Sequence, residues 1–179
     1  MIVWVNGPFG VGKSTVAATL SDRWPEATVF DPEYLGFLLR TWHPPGAAVD
    51  DFQDLSVWRR LVVETASGLL RDFGRPLIVP MTLLRREYFD EIVGTLRDQG
   101  VDVRHFCLVA GRDEVVRRVR QRGGPTEWTE RKYDEYAISM GDARFAAHLD
   151  AEGLRADALA GTIAASIGLP ERMASSSSS

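Results

Sequence analysis

The chain has 179 residues, 45% of them hydrophobic and 26% charged, and a formal net charge of −4. That length supports one buried core and is short for two large domains. The acidic balance argues against a general nucleic-acid binder. No apolar run reaches the ~20 residues of a membrane span. The N-terminal "MIVWV" has neither a basic leader nor a cleavage site, so a cytoplasmic chain is expected. The single cysteine, Cys107 in "FCLVA", excludes disulfide and cysteine-metal schemes and reads as a buried small hydrophobe.

In chain order, "MIVWV" is a β-rich run that suits a strand buried on both faces, and "NG" closes it. The turn "GPFGVGKST", Gly7 to Thr15, follows and leads into "KSTVAATLSDRW", where Val16, Leu20 and Trp24 recur at a helical spacing of four before Pro25 stops the run. "ATVF" predicts a short second strand. "DPEYLGFLLRTW" predicts a helix with Asp31 as N-cap and Pro32 at the first helical position. After the loop "HPPGAAVDD", a long helix runs from about Leu55 to Phe73 and Gly74 ends it. "PLIVP" is a third buried strand, "REYFDEIVGTLRDQG" a helix, "VRHFCLVA" a fourth strand and "RDEVVRRVRQR" a short basic helix. "GGPTEW" breaks the pattern, "TERKYDEYAISM" resumes helix, "HLD" is a very short strand, and "RADALAGTIAASIGL" is the closing helix. Alternating strands and helices predict a parallel sheet with helices on both faces and a ligand at its carboxyl edge. One domain over 1–172 is expected, with a disordered tail at 173–179.

The turn carries the strongest chemistry. Only two of the 21 basic residues are lysines, Lys13 and Lys132, so a lysine inside the pattern G-x-x-x-x-G-K-[S/T] is not background. Glycines let backbone N–H groups turn inward around a phosphate chain, and the following helix aims the positive end of its dipole at the same charge. Gly7, Pro8, Phe9, Gly10, Val11, Gly12, Lys13, Ser14 and Thr15 form the expected cradle for ATP. Lys13 would bridge the β- and γ-phosphates, and the Ser14 hydroxyl would ligate Mg²⁺.

Other candidates carry two readings each. Asp31, at the end of the second strand, suits a proton acceptor or a magnesium contact through water, and equally a helix cap. Arg40 and Arg59, on the helices between the second and third strands, suit an anionic acceptor group or a solvated surface. Asp50, Asp51 and Asp54 read as capping residues or as contacts to metal or sugar hydroxyls. Arg117, Arg118, Arg120, Arg122 and Arg131 crowd around the Gly-Gly-Pro break, facing only Glu127 and Glu130, which resembles a mobile lid over a triphosphate. Trp128 is a hinge anchor or a base-stacking surface. Tyr34, Phe37, Trp42, Trp58 and Phe89 read as core, with an acyl-chain groove as the alternative.

Cradle, strand-end Asp31, helical insert and arginine-rich lid resemble the nucleoside monophosphate kinase and shikimate kinase group of P-loop phosphotransferases. Within it, "WVNGPFGVGKS", "FDPEYLGFLLR", "DDFQDLSVWR", "LIVPMTLLRREYFDEIVGTLR" and "HFCLVA" resemble the tunicamycin-resistance, or TmrB-like, proteins, over most of the chain from Ile2 to about Leu169. The resemblance implies a three-layer fold with a five-stranded parallel sheet of order 2-3-1-4-5, an acceptor insert at about 32–73 and a lid at about 117–140. It also implies ATP binding, and resistance to a nucleoside antibiotic as the biological role. By position, Arg118 would flank the adenine and Arg122 would reach the transferred phosphate. Asp31, Arg40, Arg59 and Thr82 are the acceptor-side candidates, with Asp31 as base and Lys13, Arg118, Arg122 and Arg131 neutralising charge.

One departure stands out. The third strand ends in Pro80, Met81 and Thr82, where many P-loop enzymes carry the aspartate that holds Mg²⁺ through water. Three readings follow. They are a phosphotransferase acting on a nucleoside- or sugar-like acceptor, an ATP-dependent binding protein that sequesters the drug, and a kinase of ordinary metabolism; each takes a small-molecule partner, in a monomer or homodimer.

Overall fold

The computed structural model describes residues 1–44, 46, 49–145 and 147–170; the expected tail at 173–179 lies outside them. Five parallel strands, β1 (Ile2–Asn6), β2 (Thr28–Val29), β3 (Leu77–Pro80), β4 (Val103–Val109) and β5 (His148–Asp150), form one sheet of order β2-β3-β1-β4-β5. This is the predicted three-layer P-loop architecture. Register pairs Val5 with Pro80 and Asn6 with Cys107, so the carboxyl ends of the three central strands finish together at one edge.

Strand alternation divides the core. Ile2 and Trp4 of β1 point to one face and pack with α3 (Ser56–Phe73) and the helical run of α4 (Arg86–Phe89), a π-helical stretch (Asp90–Gly94) and α5 (Thr95–Asp98). Val3 and Val5 point to the other, against Val16, Ala17 and Leu20 of α1 (Lys13–Arg23) and Leu159, Ala160 and Ile163 of α8 (Ala156–Ser166). A strand period of two feeding two helical layers accounts for the near-continuous apolar runs in the sequence.

Three details differ from expectation. The helix predicted over 86–100 is not uniform, because it widens to π geometry at Asp90–Gly94. The break after the basic helix α6 (Arg112–Gln121) is shorter than predicted, since α7 (Thr126–Met140) starts directly after Pro125 and already includes Trp128. Tyr34, Phe37 and Trp42 are not core; they are 72%, 48% and 67% exposed, whereas Trp58 and Phe89 are buried as predicted. The reason is geometric. The helix α2 (Glu33–Arg40) turns Leu35, Gly36 and Leu39 inward, and a 3.6-residue period then sends positions 34, 37 and 38 outward.

Candidate active site

The cradle begins where β1 ends. Asn6 is fully buried and uses every polar valence of its amide: Oδ1 accepts from the N–H groups of Gly7 (2.8 Å) and Leu83 (2.7 Å), while Nδ2 donates to Leu83 O (2.8 Å) and meets His105 Nε2 at 3.0 Å. The Thr82 hydroxyl donates to Gly7 O (2.9 Å). The first residue of the turn is therefore held at its N–H by Asn6, itself fixed by Leu83 77 positions away, and at its carbonyl by Thr82, 75 positions away. Neither Asn6 nor His105 is recognisable from the motif; the one signal is a polar residue ending a wholly apolar strand.

The turn demands its glycines. Gly7 has φ +134°, and a Cβ there would lie 2.4 Å from Leu108 O; Gly10 has φ +83°, with Val119 Cγ2 equally close to a Cβ. An L side chain would meet both backbone strain and collision. Lys13 is buried, and its Nζ donates to Pro8 O at 3.0 Å across the loop. Desolvation lowers its pKa to about 8, opposed by the nearby carboxylates of Glu33 and Asp31. A buried ammonium donating to one carbonyl at the opening of a helix is a site prepared for anionic oxygens.

A cavity of about 170 Å³ lies over this turn, lined by Lys13, Ser14 and Thr15 with Phe9, Glu33, Pro80 and Arg122. Beside it, a slot of about 200 Å³ opens between Val11, Gly12 and Val16 on one side and Leu154, Ala156 and Leu159 on the other, with Arg118 and Arg122 at its border. A third cavity, of about 220 Å³, lies between the insert and α7; Phe9 and Glu33 belong to its wall and to the cradle wall alike. The three form a continuous arrangement suited to a base, its phosphates and an acceptor.

The carboxylates sort differently from expectation. Asp31 Oδ1 accepts from the Glu33 N–H at 2.9 Å, so Asp31 caps α2, and it lines neither the cradle nor the acceptor cavity. The carboxylate between the two cavities is Glu33, two residues on. Burial raises its pKa, assisted by Asp31 and Asp51 and opposed by Lys13 and Arg40. Asp51 caps too, accepting from Gln53 N–H at 3.0 Å, yet it is buried and lines the acceptor cavity with Asp50. Asp54 pairs with Arg85 and accepts from the Tyr88 hydroxyl.

The arginines sort as well. Arg40 lines the acceptor cavity with Thr82. Arg59 does not; it turns to Glu91 (2.5 Å) and Gln53 O (2.5 Å) and lies over the Tyr88 ring, because α3 presents that position to α4 and the π-helical stretch. In the lid segment, Glu114 lies one turn before the expected cluster and takes hydrogen bonds from Arg117 and Arg118, which hold its carboxyl well below the usual range. Arg118 also donates to Val11 O (2.8 Å) and Ala151 O (2.6 Å), bridging the cradle to the segment after β5. Arg131 is exposed and lines none of these cavities; a helix turns 100° per residue, so the next position, Lys132, faces inward, 2.8 Å from Glu135 and 3.9 Å from Asp51. Among the described residues, Arg122 is the lid-segment cation on the cradle wall. Trp128 packs edge-on against Phe9 at 5.2 Å on the acceptor side, away from the base-sized slot.

No group of three or more His, Cys, Asp or Glu residues able to hold a metal exists among the described residues. That donor set fits magnesium carried mainly by phosphate and water, with the Ser14 hydroxyl as a protein ligand.

The sequence profile of the family described as an AAA domain matches residues 2–147. With the sheet order and the cradle, it defines the class: a P-loop nucleotide-binding domain of kinase-like architecture. A solved structure of the tunicamycin resistance protein of Deinococcus radiodurans is 34% identical, with a TM-score of 0.81 over 94% of this chain and 96% of that one. The chain thus belongs to the family of P-loop tunicamycin resistance proteins. The fold extends to more distant structures. A sugar kinase from Janibacter sp. HTCC2649 has 19% identity and a TM-score of 0.69, covering 94% of each chain. The APS kinase of Mycobacterium tuberculosis, solved with AMPPNP and APS, has 19% identity and a TM-score of 0.63, covering 93% of this chain and 96% of that one. No curated protein matches significantly. No described helix is long and apolar enough to cross a membrane.

Proposed function

We propose that the chain is an ATP-dependent phosphotransferase that confers tunicamycin resistance by moving the γ-phosphoryl group of ATP to a hydroxyl of a nucleoside- or sugar-like acceptor, tunicamycin among them. The observation that carries this reading is Glu33, one carboxylate shared by the walls of the phosphate cradle and the acceptor cavity. A protein that only stored its ligand would have no need of a proton acceptor at that junction.

Each residue then has a task. The turn from Gly7 to Thr15 holds the phosphates through inward N–H groups and the α1 terminus, and Lys13 neutralises charge on the transferred group. Arg122 does the same from the other wall. Arg118 ties the cradle to the border of the base slot. Glu33 takes the proton of the attacking hydroxyl, and its raised pKa brings it nearer the range in which a general base works at neutral pH. Asp31 supports Glu33 by starting α2 at the right place. Magnesium would be held by Ser14 and would supply charge neutralisation on the phosphate oxygens. Phe9 and Trp128 close the gap between cradle and α7, which keeps water from competing with the acceptor.

The second reading, ATP-dependent sequestration without turnover, is favoured by Pro80, which lines the cradle where a magnesium-holding aspartate is common. The two readings separate on one assay. Protein, Mg-ATP and tunicamycin are incubated and the drug is analysed by mass spectrometry. Phosphotransfer yields a drug species heavier by one phosphoryl group. Unmodified drug that stays bound to the protein establishes sequestration instead.

A further inference from the structure

Charged groups are unevenly distributed around the acceptor cavity. Three carboxylates, Glu33, Asp50 and Asp51, line it, against one guanidinium, Arg40. That guanidinium already lies over the cavity's own aromatic wall, 5.8 Å from the Phe37 ring centre and 5.5 Å from that of Phe52. Two other cations that the sequence offers to this region lie outside the lining. Arg59 holds Glu91 and Gln53 O, and Lys132 lies behind the wall, 2.8 Å from Glu135 and 3.9 Å from Asp51, so it offsets part of the charge of Asp51 without presenting a donor to the cavity.

Recognition of a phosphate or carboxylate on an acceptor draws on arginine forks that present parallel N–H donors. This cavity instead presents carboxylate oxygens, which accept hydrogen bonds from hydroxyl groups, and aromatic faces, which stack on rings. We infer that the acceptor cavity takes a hydroxylated ring compound that carries no anionic group, and that it rejects the phosphorylated or carboxylated counterpart of the same compound. This deepens the phosphotransfer reading and rests on it for the identity of the cavity as the acceptor site. A negative group there would meet three carboxylates, of which Asp51 is buried, Glu33 half-buried and Asp50 exposed, and like-charge contacts of this kind are costly. The consequence is selection against nucleoside monophosphates and sugar phosphates.

The test is calorimetric titration of the full chain, loaded with magnesium and the non-hydrolysable analogue AMPPNP, with matched pairs: uridine against uridine 5′-monophosphate, and N-acetylglucosamine against its 6-phosphate. The uncharged member binds at least about tenfold more tightly in each pair. Asp50 is exposed, so Asp50→Lys leaves folding intact; it narrows the gap by about twofold to fivefold, the range expected of a partly screened charge. Equal or tighter binding of the anionic members, no binding of any member, or a gap unmoved by Asp50→Lys each overturns the inference. Because the analogue cannot transfer its phosphate, the ranking is read independently of turnover. Failure of phosphotransfer in the drug assay would leave this ranking standing, and failure of the ranking would leave phosphotransfer standing.

Discussion

The phosphate cradle and the acceptor cavity share the residues Phe9 and Glu33, but they are built in opposite ways. The cradle is a local object: nine consecutive residues with three left-handed glycines and one buried lysine, fixed to the sheet through Asn6 and Thr82. The acceptor cavity is assembled from α2, the loop around Asp50 and Asp51, the segment after β3, and α7, brought together only by the tertiary fold. A local device shows itself in sequence spacing. An assembled one does not, because no spacing rule says which side of a helix will face it.

Removing Lys13 is the sharpest way to break the cradle half. Lys13→Ala is expected to lower transfer by about 1,000-fold, the upper range for loss of one charge-stabilising group, while the melting temperature holds or rises because a desolvated ammonium is gone. Single-turnover transfer and thermal melting check the two arms. Next in size is the joint between the two halves. Asn6→Leu strands the Gly7 N–H and both polar groups of Leu83 in the core, so a loss of about 3 kcal/mol in urea unfolding is expected, with Asn6→Asp milder than Asn6→Leu.

Arg59 measures whether the insert's two arginines differ as their surroundings do. Arg59→Met should cost about 1–2 kcal/mol of stability by freeing Glu91 and Gln53 O, with the KM for acceptor unchanged, whereas Arg40→Met should move the acceptor KM and leave stability within about 0.5 kcal/mol. The smallest effect is the pH response of Lys13. Its folded pKa, about 8, is below the unfolded 10.5, so between those values the unfolded chain binds more protons and the nucleotide-free protein gains stability as pH rises. Bound phosphate favours the charged ammonium, so nucleotide affinity falls as pH rises past about 8, by at most about tenfold per unit. Melting curves and nucleotide titrations from pH 7 to about 9.5 should therefore trend in opposite directions.

The fold was legible almost throughout. Apolar runs, stops at Pro25, Gly74 and Gly100, and the alternation of strands and helices lead to a parallel sheet between helical layers, the family resemblance supplied its strand order, and the turn led to its cradle. The π-helical widening at Asp90–Gly94 was not legible, because one extra residue within a helical period leaves no compositional trace. At the site, the carboxylate that stood out in the sequence is not the one that lines both cavities. Asp31 drew attention as a strand-end acid, but an aspartate before proline is also a cap, and its capping bond carries the next acid into the cavities. The charge of the lid segment was overstated for a similar reason: Glu114 lies one turn upstream of the arginine cluster, and its pairing with Arg117 and Arg118 is a helix-surface contact. Arg131 and Lys132 are adjacent and both basic; only the helical phase of α7 decides that Lys132 faces the insert.

Glu33 lines both cavities, and the proposed transfer depends on its carboxylate. Single-turnover transfer from γ-labelled ATP to tunicamycin, compared for the wild-type chain, Glu33→Gln and Asp31→Asn, tests it most directly. Glu33→Gln is expected to lower the transfer rate by about 100-fold or more with nucleotide affinity retained, while Asp31→Asn, which preserves the cap, stays within about threefold. The reverse ranking, with Asp31→Asn inactive and Glu33→Gln near wild type, would contradict it.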